Sequence, residues 1–310
     1  MKKILLTGST GFLGRHIKAL ADKKKYKIYE SNSKIGNLES IKNLQIYNKI
    51  KFDYIFHCAT RTKAGNYSKI YKADQWLFNQ LINTNILLYW KNFQSQAKMI
   101  AMGSSCMYSQ DFKMVEENCL SGSVEKELYT YAMTKRMLFL GIKNFSEQYK
   151  LKYLFFIPSI FYGPNYDLND NHFIFDFIRK INQGKRLDKE VKFFGSGNKK
   201  RDLIFVNDAI SYIFSLLKYN NEVFNLASGK EKTLTYYAYK ISKLMQFNVK
   251  KIKFSGKNNE SVESRKLVTT KLENFVHKKN FVHKRSANID KSLSLTIEYF
   301  KKNEKFIISK

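Results

Sequence analysis

Over the first 165 residues, apolar positions come in blocks of two kinds. Short runs that are apolar almost throughout predict strands: Lys3–Thr7 (KILLT), Lys27–Glu30, Asp53–Cys58 (DYIFHC), Lys98–Met102 (KMIAM) and Lys152–Pro158 (KYLFFIP). Between them lie longer segments of helical pattern at Phe12–Ala21, around Ile70–Asn92 and at Glu127–Tyr149. Strands separated by helices of this length imply βαβ units and an α/β fold, a Rossmann-type doubly wound parallel sheet.

The chain has two prolines, Pro158 and Pro164, and both mark a turn out of the sheet. Beyond them the pattern loosens into a polar loop at Asn165–Asn171 and a helix near Phe173–Gln183. Strands follow at Val191–Phe194 and Asp202–Val206, then a helix from Asp208, a strand at Val223–Ala227 and a helix at Tyr236–Met245. The expected organisation is a dinucleotide-binding Rossmann domain over residues 1–165 with a returning segment near 202–228. A smaller mixed α/β substrate domain, 166–310, would lie over the carboxyl edge of the sheet. Lys257–Arg265 reads as a loop or a flap over a ligand, and no internal repeat is visible.

Composition narrows the class. Of 310 residues, 44% are hydrophobic and 26% charged, too apolar for a disordered chain. The formal charge of +29 invites a nucleic-acid or membrane partner. Only eight of the basic residues are arginine and 47 are lysine, whereas base-reading surfaces favour the guanidinium fork. The excess therefore reads as a solvated lysine surface, with no nucleic-acid partner. Cys58, Cys106 and Cys119 have neither metal nor disulfide spacing, so no metal and a reducing cytoplasm are expected. The apolar start stops at Thr7-Gly8, and no run approaches the ~20 residues of a membrane span, so no insertion is expected.

Two motifs carry chemistry. Thr7-Gly8-Ser9-Thr10-Gly11-Phe12-Leu13-Gly14 follows a strand and opens a helix. Gly8 permits a tight turn, Gly11 admits a pyrophosphate to the backbone, and Gly14 lets helix pack on strand, with phosphate on the helix's free N–H groups. Glu30 ends the next strand, where a carboxylate accepts hydrogen bonds from an adenosine ribose and repels a 2′-phosphate. The cofactor is NAD(H) or NADP(H), with NAD(H) favoured. The second motif, Tyr131-Ala-Met-Thr-Lys135, sets a phenol and an ammonium on one helix face. Such a charge stabilises phenolate and is expected to pull the tyrosine's pKa of ~10 toward neutrality, making it a usable acid/base.

With these motifs, IFHCAT (Ile55–Thr60), GSSCMY (Gly103–Tyr108), FYGP (Phe161–Pro164) and GSGNKKRDLIFVND (Gly195–Asp208) keep a common order and spacing. Together they resemble the extended short-chain dehydrogenase/reductase superfamily, in its sugar-nucleotide branch of the NAD-dependent epimerase/dehydratase family. The match runs from residue 3 to about 275, and within the branch GSSCMY, VEENCLSG before YAMTK, and NDNHFIFDFIRK most resemble members that epimerise and reduce GDP-4-keto-6-deoxymannose. It implies that Ser104 binds the sugar's 4-oxygen, Tyr131 donates a proton there, and Lys135 holds the nicotinamide ribose. Cys106 and His172 fall on the base and acid of epimerisation, which must work from opposite ring faces. Thr10, Phe12, Leu13, Leu38 and Ala59 would join the glycines around the cofactor. Lys180, Phe194 and Arg201 would meet the nucleotide-diphosphate sugar, Arg201 at its diphosphate. A homodimer built on the Tyr/Lys helix and its neighbour is also implied.

The departures fall on the contacts and spare the chemistry. Thr10 and Asn32 stand where those members carry arginines for a 2′-phosphate; Ile160 replaces an asparagine, Phe194 a tryptophan and Lys180 an arginine. A related deoxy- or heptose nucleotide therefore stays open. Two alternatives remain: a sugar-nucleotide 4-reductase or 4-epimerase without 3,5-epimerisation, and a non-catalytic dinucleotide-sensing or RNA-binding module.

Overall fold

The computed structural model describes residues 1–256, 262–277 and 288–304. The amino-terminal half builds β1 (Lys3–Thr7), α1 (Phe12–Lys23), β2 (Lys27–Ser31), the short α2 (Lys42–Gln45) and β3 (Tyr54–His57). It continues with the short α3 (Tyr67–Ile70), the long α4 (Lys72–Phe93), β4 (Lys98–Met102), α5 (Tyr129–Tyr149) and β5 (Tyr153–Pro158). After them come β6 (Ile160–Tyr162), α6 (Phe173–Leu187), β7 (Val191–Phe194), β8 (Lys200–Phe205), α7 (Val206–Leu216) and β9 (Glu222–Leu226). The chain closes with β10 (Glu231–Thr233), α8 (Leu234–Leu244), β11 (Ile252–Ser255), α9 (Thr270–His277) and α10 (Ile289–Asn303).

Six strands form the expected parallel sheet in the order β2-β1-β3-β4-β5-β9. The unbroken apolar runs follow from burial on both faces, since successive side chains point to opposite sides. Leu5, Ile55, Met99, Ala101 and Phe155 meet α4 and α5 through Ile86, Trp90, Leu138 and Ile142. Ile4, Leu6, Phe56, Ile100, Phe156 and Phe224 meet Ile17 of α1, Ile213 of α7 and Leu272 of α9. Strand order reverses between β1 and β3, which opens a crevice at their carboxyl ends where ligands of such sheets bind.

The smaller part is mixed: β10-β8-β6 with β10 antiparallel, and the parallel pair β11-β7. Its core joins α6, α8 and α10 through Ile178, Ile241, Ile297 and Phe300. Phe12, at the head of α1, packs edge-on against Phe175 of α6, with ring centroids 6.0 Å apart. One turn on, Arg15 donates to the Asn165 carbonyl (2.6 Å) and the His16 ring meets the Pro164 carbonyl (2.8 Å). The turn after β6 is thus fastened to the helix that follows the glycine motif.

Sequence pattern misses β6, β10, β11, α9 and α10, and the one-turn helices α2 and α3. The three strands are three or four residues long, and β10 reads Glu-Lys-Thr; α10 hides its buried Leu293, Ile297 and Phe300 in a lysine-rich tail. Of the expected flap, Lys257–Ser261 lies outside the described residues. Val262–Arg265 is tied down: the Glu263 carbonyl accepts from Lys200 N (2.7 Å), and Arg265 N donates to Glu231 (2.8 Å).

Candidate active site

The turn between β1 and α1 is built on close backbone approach. Gly8 has φ +67°, and a Cβ there would lie 2.7 Å from Ala59 N. A Cβ on Gly14 would lie 2.2 Å from the Gly8 carbonyl oxygen, so any side chain would push the helix off the turn. Gly11 is exposed, and a Cβ on it would meet only that same oxygen, at 3.2 Å. It caps α1 without a side-chain bond, and no acidic residue lies in the first turn. The N–H groups and positive dipole end are therefore free for an anion, and a dinucleotide's pyrophosphate fits this cradle. Thr10 and Gly11 are exposed, Phe12 and Leu13 half-buried.

Around the cradle, the side chains are held by bonds that a linear reading does not reveal. Glu30, at the end of β2, pairs with Lys18 of α1; that bond, with help from the Ser9 hydroxyl, holds its carboxyl below the usual range. Asn32 is buried and donates to Ser9 Oγ (2.9 Å). Leu38 is core, packed with Leu5 and Ile55, whereas Ala59 is half-buried with its N–H on Thr7 Oγ1 (3.3 Å). His57 is buried between Thr7 Oγ1 (2.9 Å) and Asn83 Oδ1 (3.2 Å). Burial pushes its imidazole down to about 4, and the nearby Lys135 charge adds to the fall.

The second motif lies on α5, beside the turn after β4. Ser104 caps that turn by accepting from Cys106 N (3.3 Å), and its hydroxyl lies on the Tyr131 side, where it favours the phenolate. Lys135 is buried, donates to the Met102 carbonyl (3.1 Å) and sits 5.9 Å from the Tyr131 ring centroid. Desolvation pushes its ammonium down to about 8, against a small opposing pull from Cys58. Tyr131 goes up: burial dominates, the Cys106 thiol adds to it, and only the Ser104 hydroxyl opposes it. That direction is opposite to the sequence expectation. Loss of solvation sets the direction, and Tyr131 stands as a protonated phenol, ready to give up a proton.

Cys106 is buried with Val124 and Ala132, with Tyr131 packed against them. Its sulfur accepts from Arg265 Nη1 (3.2 Å), and Arg265 also forms a half-buried ion pair with Glu125. Arg201 is buried too: it donates to the Lys200 carbonyl (2.7 Å), feels the Cys106 thiol, and is pushed down by desolvation. The fold thus gathers Ser104, Cys106, Tyr131, Lys135 and Arg201. The other three candidates are exposed. His172 heads α6, with Nδ1 2.6 Å from Asp170 Oδ1. Lys180 pairs with Asp176 at 2.9 Å, and Phe194 is 69% exposed. Sequence reasoning gave no role to His57, Glu125, Arg136 or Arg265. Glu125 and Arg265 lie 140 residues apart, beyond any local spacing signal.

A nucleotide cradle at the switch point, with a Ser/Tyr/Lys group beside it, defines an NAD(P)-dependent enzyme of the extended short-chain dehydrogenase/reductase type. The chain belongs to the NAD dependent epimerase/dehydratase family, whose model matches residues 4–227. It is 28% identical to the GDP-L-colitose synthase of Yersinia pseudotuberculosis, covering 96% of this chain and 97% of that one. In structure it is similar to a GDP-L-fucose synthetase from Naegleria fowleri (TM-score 0.83, 22% identity, 98% and 94% covered). It is also similar to a GDP-6-OMe-4-keto-L-xylo-heptose reductase from C. jejuni (TM-score 0.84, 15% identity, 97% and 98% covered).

Proposed function

We propose that this chain is a cytoplasmic enzyme that reduces carbon 4 of a GDP-activated 4-keto sugar, deoxy or heptose, after epimerising the carbons beside the ketone. The observation that carries the reading is the cluster formed by α5 and the turn after β4: Tyr131 packs against the buried Cys106, and the buried Lys135 ammonium lies 5.9 Å from the same ring's centroid. The relatives' names supply the substrate class.

The site chemistry follows from the side chains. Ser104 and Tyr131 both present hydroxyls to a carbonyl oxygen, and the raised Tyr131 keeps its proton until that oxygen gains charge. Bound NAD(P)H supplies the hydride. Tyr131 completes the reduction by giving its proton to the oxygen, and Lys135 steadies the phenolate left behind. Epimerisation needs no net redox change: Cys106 and His172 would remove a proton from one ring face and return one to the other. Asp170 orients the His172 ring for this task. Arg201 serves the diphosphate, with Lys180 and Phe194 at the outer end of the sugar nucleotide. Glu30, at the ribose end of the cradle, tilts the choice toward NAD(H). Leu81 and Leu88 of α4, with Met137 and Leu140 of α5, stay exposed on adjacent helices and suit a homodimer face.

The exposure of His172, bonded to Asp170, favours a second reading: a 4-reductase without epimerisation. One experiment separates them. Keto-sugar incubated with enzyme in D2O, without reductant, should take up deuterium at carbons 3 and 5; no uptake leaves the reductase. Cys106→Ser should suppress the uptake and spare hydride transfer, and Tyr131→Phe should do the reverse. Unchanged reduction in Tyr131→Phe would overturn the assignment.

A further inference from the structure

One buried cation near the site has no part in the chemistry above. Arg136 follows Lys135 on α5 and is 8% exposed. Its guanidinium donates to three backbone carbonyls: Nε to Met107, Nη1 to Gly122 and Nη2 to Ser121, each at 2.7 Å. Those carbonyls bracket the excursion between β4 and α5. Met107 ends the turn that carries Ser104 and Cys106, and Ser121-Gly122 lies near the far end, where the chain turns back toward α5. The excursion holds only single helical turns, at Ser105–Met107, Glu116–Asn118 and Lys126–Leu128, so ladder hydrogen bonds fix little of it.

A planar fork with donors on three sides suits this task. Lysine has a single point of donation and could not span Met107 and Ser121-Gly122 together. Burying a charge without a carboxylate is costly unless every donor is satisfied, and here the satisfied donors all serve one loop. The helix that carries Tyr131 and Lys135 therefore also fixes where Ser104 and Cys106 stand relative to them.

We propose that Arg136 is a positioning residue: from α5 it clamps the 104–122 excursion and so sets Ser104 and Cys106 against Tyr131. The consequence for turnover rests on the functional reading above, whereas the clamp itself does not. The three cysteines give a test that separates the two. Cys106 and Cys119 both lie on the clamped excursion and are buried, and Cys58 follows β3, outside the excursion on the Lys135 side of α5.

The experiment is iodoacetamide alkylation of the folded full-length chain, read cysteine by cysteine by mass spectrometry, for wild type, Arg136→Lys and Arg136→Met. The expected result is about tenfold faster labelling of Cys106 and Cys119, with Cys58 unchanged, less marked for Arg136→Lys than for Arg136→Met. Equal acceleration at all three would mean general loosening and overturn the clamp, as would no acceleration at any. If Arg136→Met does not fold, Arg136→Lys alone decides by the same pattern. With substrate, both variants should lose deuterium uptake and hydride transfer in parallel, about tenfold or more in kcat, with dinucleotide affinity unchanged. Selective labelling without that parallel loss would keep the clamp and refute its part in positioning; no turnover in wild type would refute the function alone.

Discussion

Replacing Lys135 by methionine should destroy activity and stabilise the fold. The fall of its ammonium from 10.5 to about 8 comes chiefly from desolvation. At 1.36 kcal/mol per pKa step, the buried cation costs roughly 3 kcal/mol at pH 7. Methionine fills similar volume without charge but forfeits the hydrogen bond to the Met102 carbonyl, worth about 1–2 kcal/mol. The net gain is therefore ~1–2 kcal/mol, or a rise of a few degrees in Tm for a chain of this size. Its pH dependence is the sharper test. Between pH 8 and 10.5 the unfolded chain binds the proton that the native chain has lost, so wild-type stability from this group rises with pH across that window. The advantage of Lys135→Met should shrink to near zero by about pH 9.5. Calorimetry of the apo protein at pH 7 and 9.5 measures it. A loss of stability at pH 7, or a gain of equal size at both pH values, would refute the argument that desolvation dominates this site.

Three further outcomes are expected. His57, pushed down to about 4, binds its proton more readily in the unfolded chain. Native stability from it is present above pH 6.5 and falls by roughly 3 kcal/mol as pH drops toward 4, and His57→Gln should flatten that slope in acid-unfolding curves. Gly14→Ala puts a Cβ 2.2 Å from a backbone oxygen, so Tm should drop and dinucleotide affinity fall at least tenfold; titration with NADH and NADPH checks it. Leu81→Lys with Leu140→Lys should convert a homodimer to a monomer by light scattering; a wild-type chain that is already monomeric would refute the dimer face.

Much of the fold was legible because its physics is local. A parallel sheet covered on both faces needs unbroken apolar strands, and KILLT, YIFH, KMIAM and YLFFIP have them. Strand and helix lengths then leave few topologies for βαβ units. The glycine cradle was legible for the same reason: Gly8, Gly11 and Gly14 stand close in sequence, and Gly11 and Gly14 meet backbone of Gly8 and Ser9, whereas Gly8 meets Cys58 and Ala59 across the sheet. The lysine excess, by contrast, located nothing, since most of those ammonium groups lie on the surface.

What pattern could not supply was any quantity set by partners distant in the chain. The Tyr131–Lys135 spacing suggested an activated phenolate, yet burial at the junction of α5 and the Ser104 turn drives Tyr131 the other way. Arg201 was assigned to a diphosphate by resemblance, but its burial comes from the pairing of β8 with β10, and Arg265 reaches Cys106 because the 262–268 segment is bonded to Glu231 and Glu125. His172 kept its place at the head of a helix, but its exposure and its bond to Asp170 were invisible in sequence. The sequence by itself determined the sheet, the cradle and which residue types the site holds, because hydrophobic period and glycine sterics act between near neighbours. The tertiary structure alone decided which of those residues are buried together, and hence their protonation, because desolvation is a property of the assembled core.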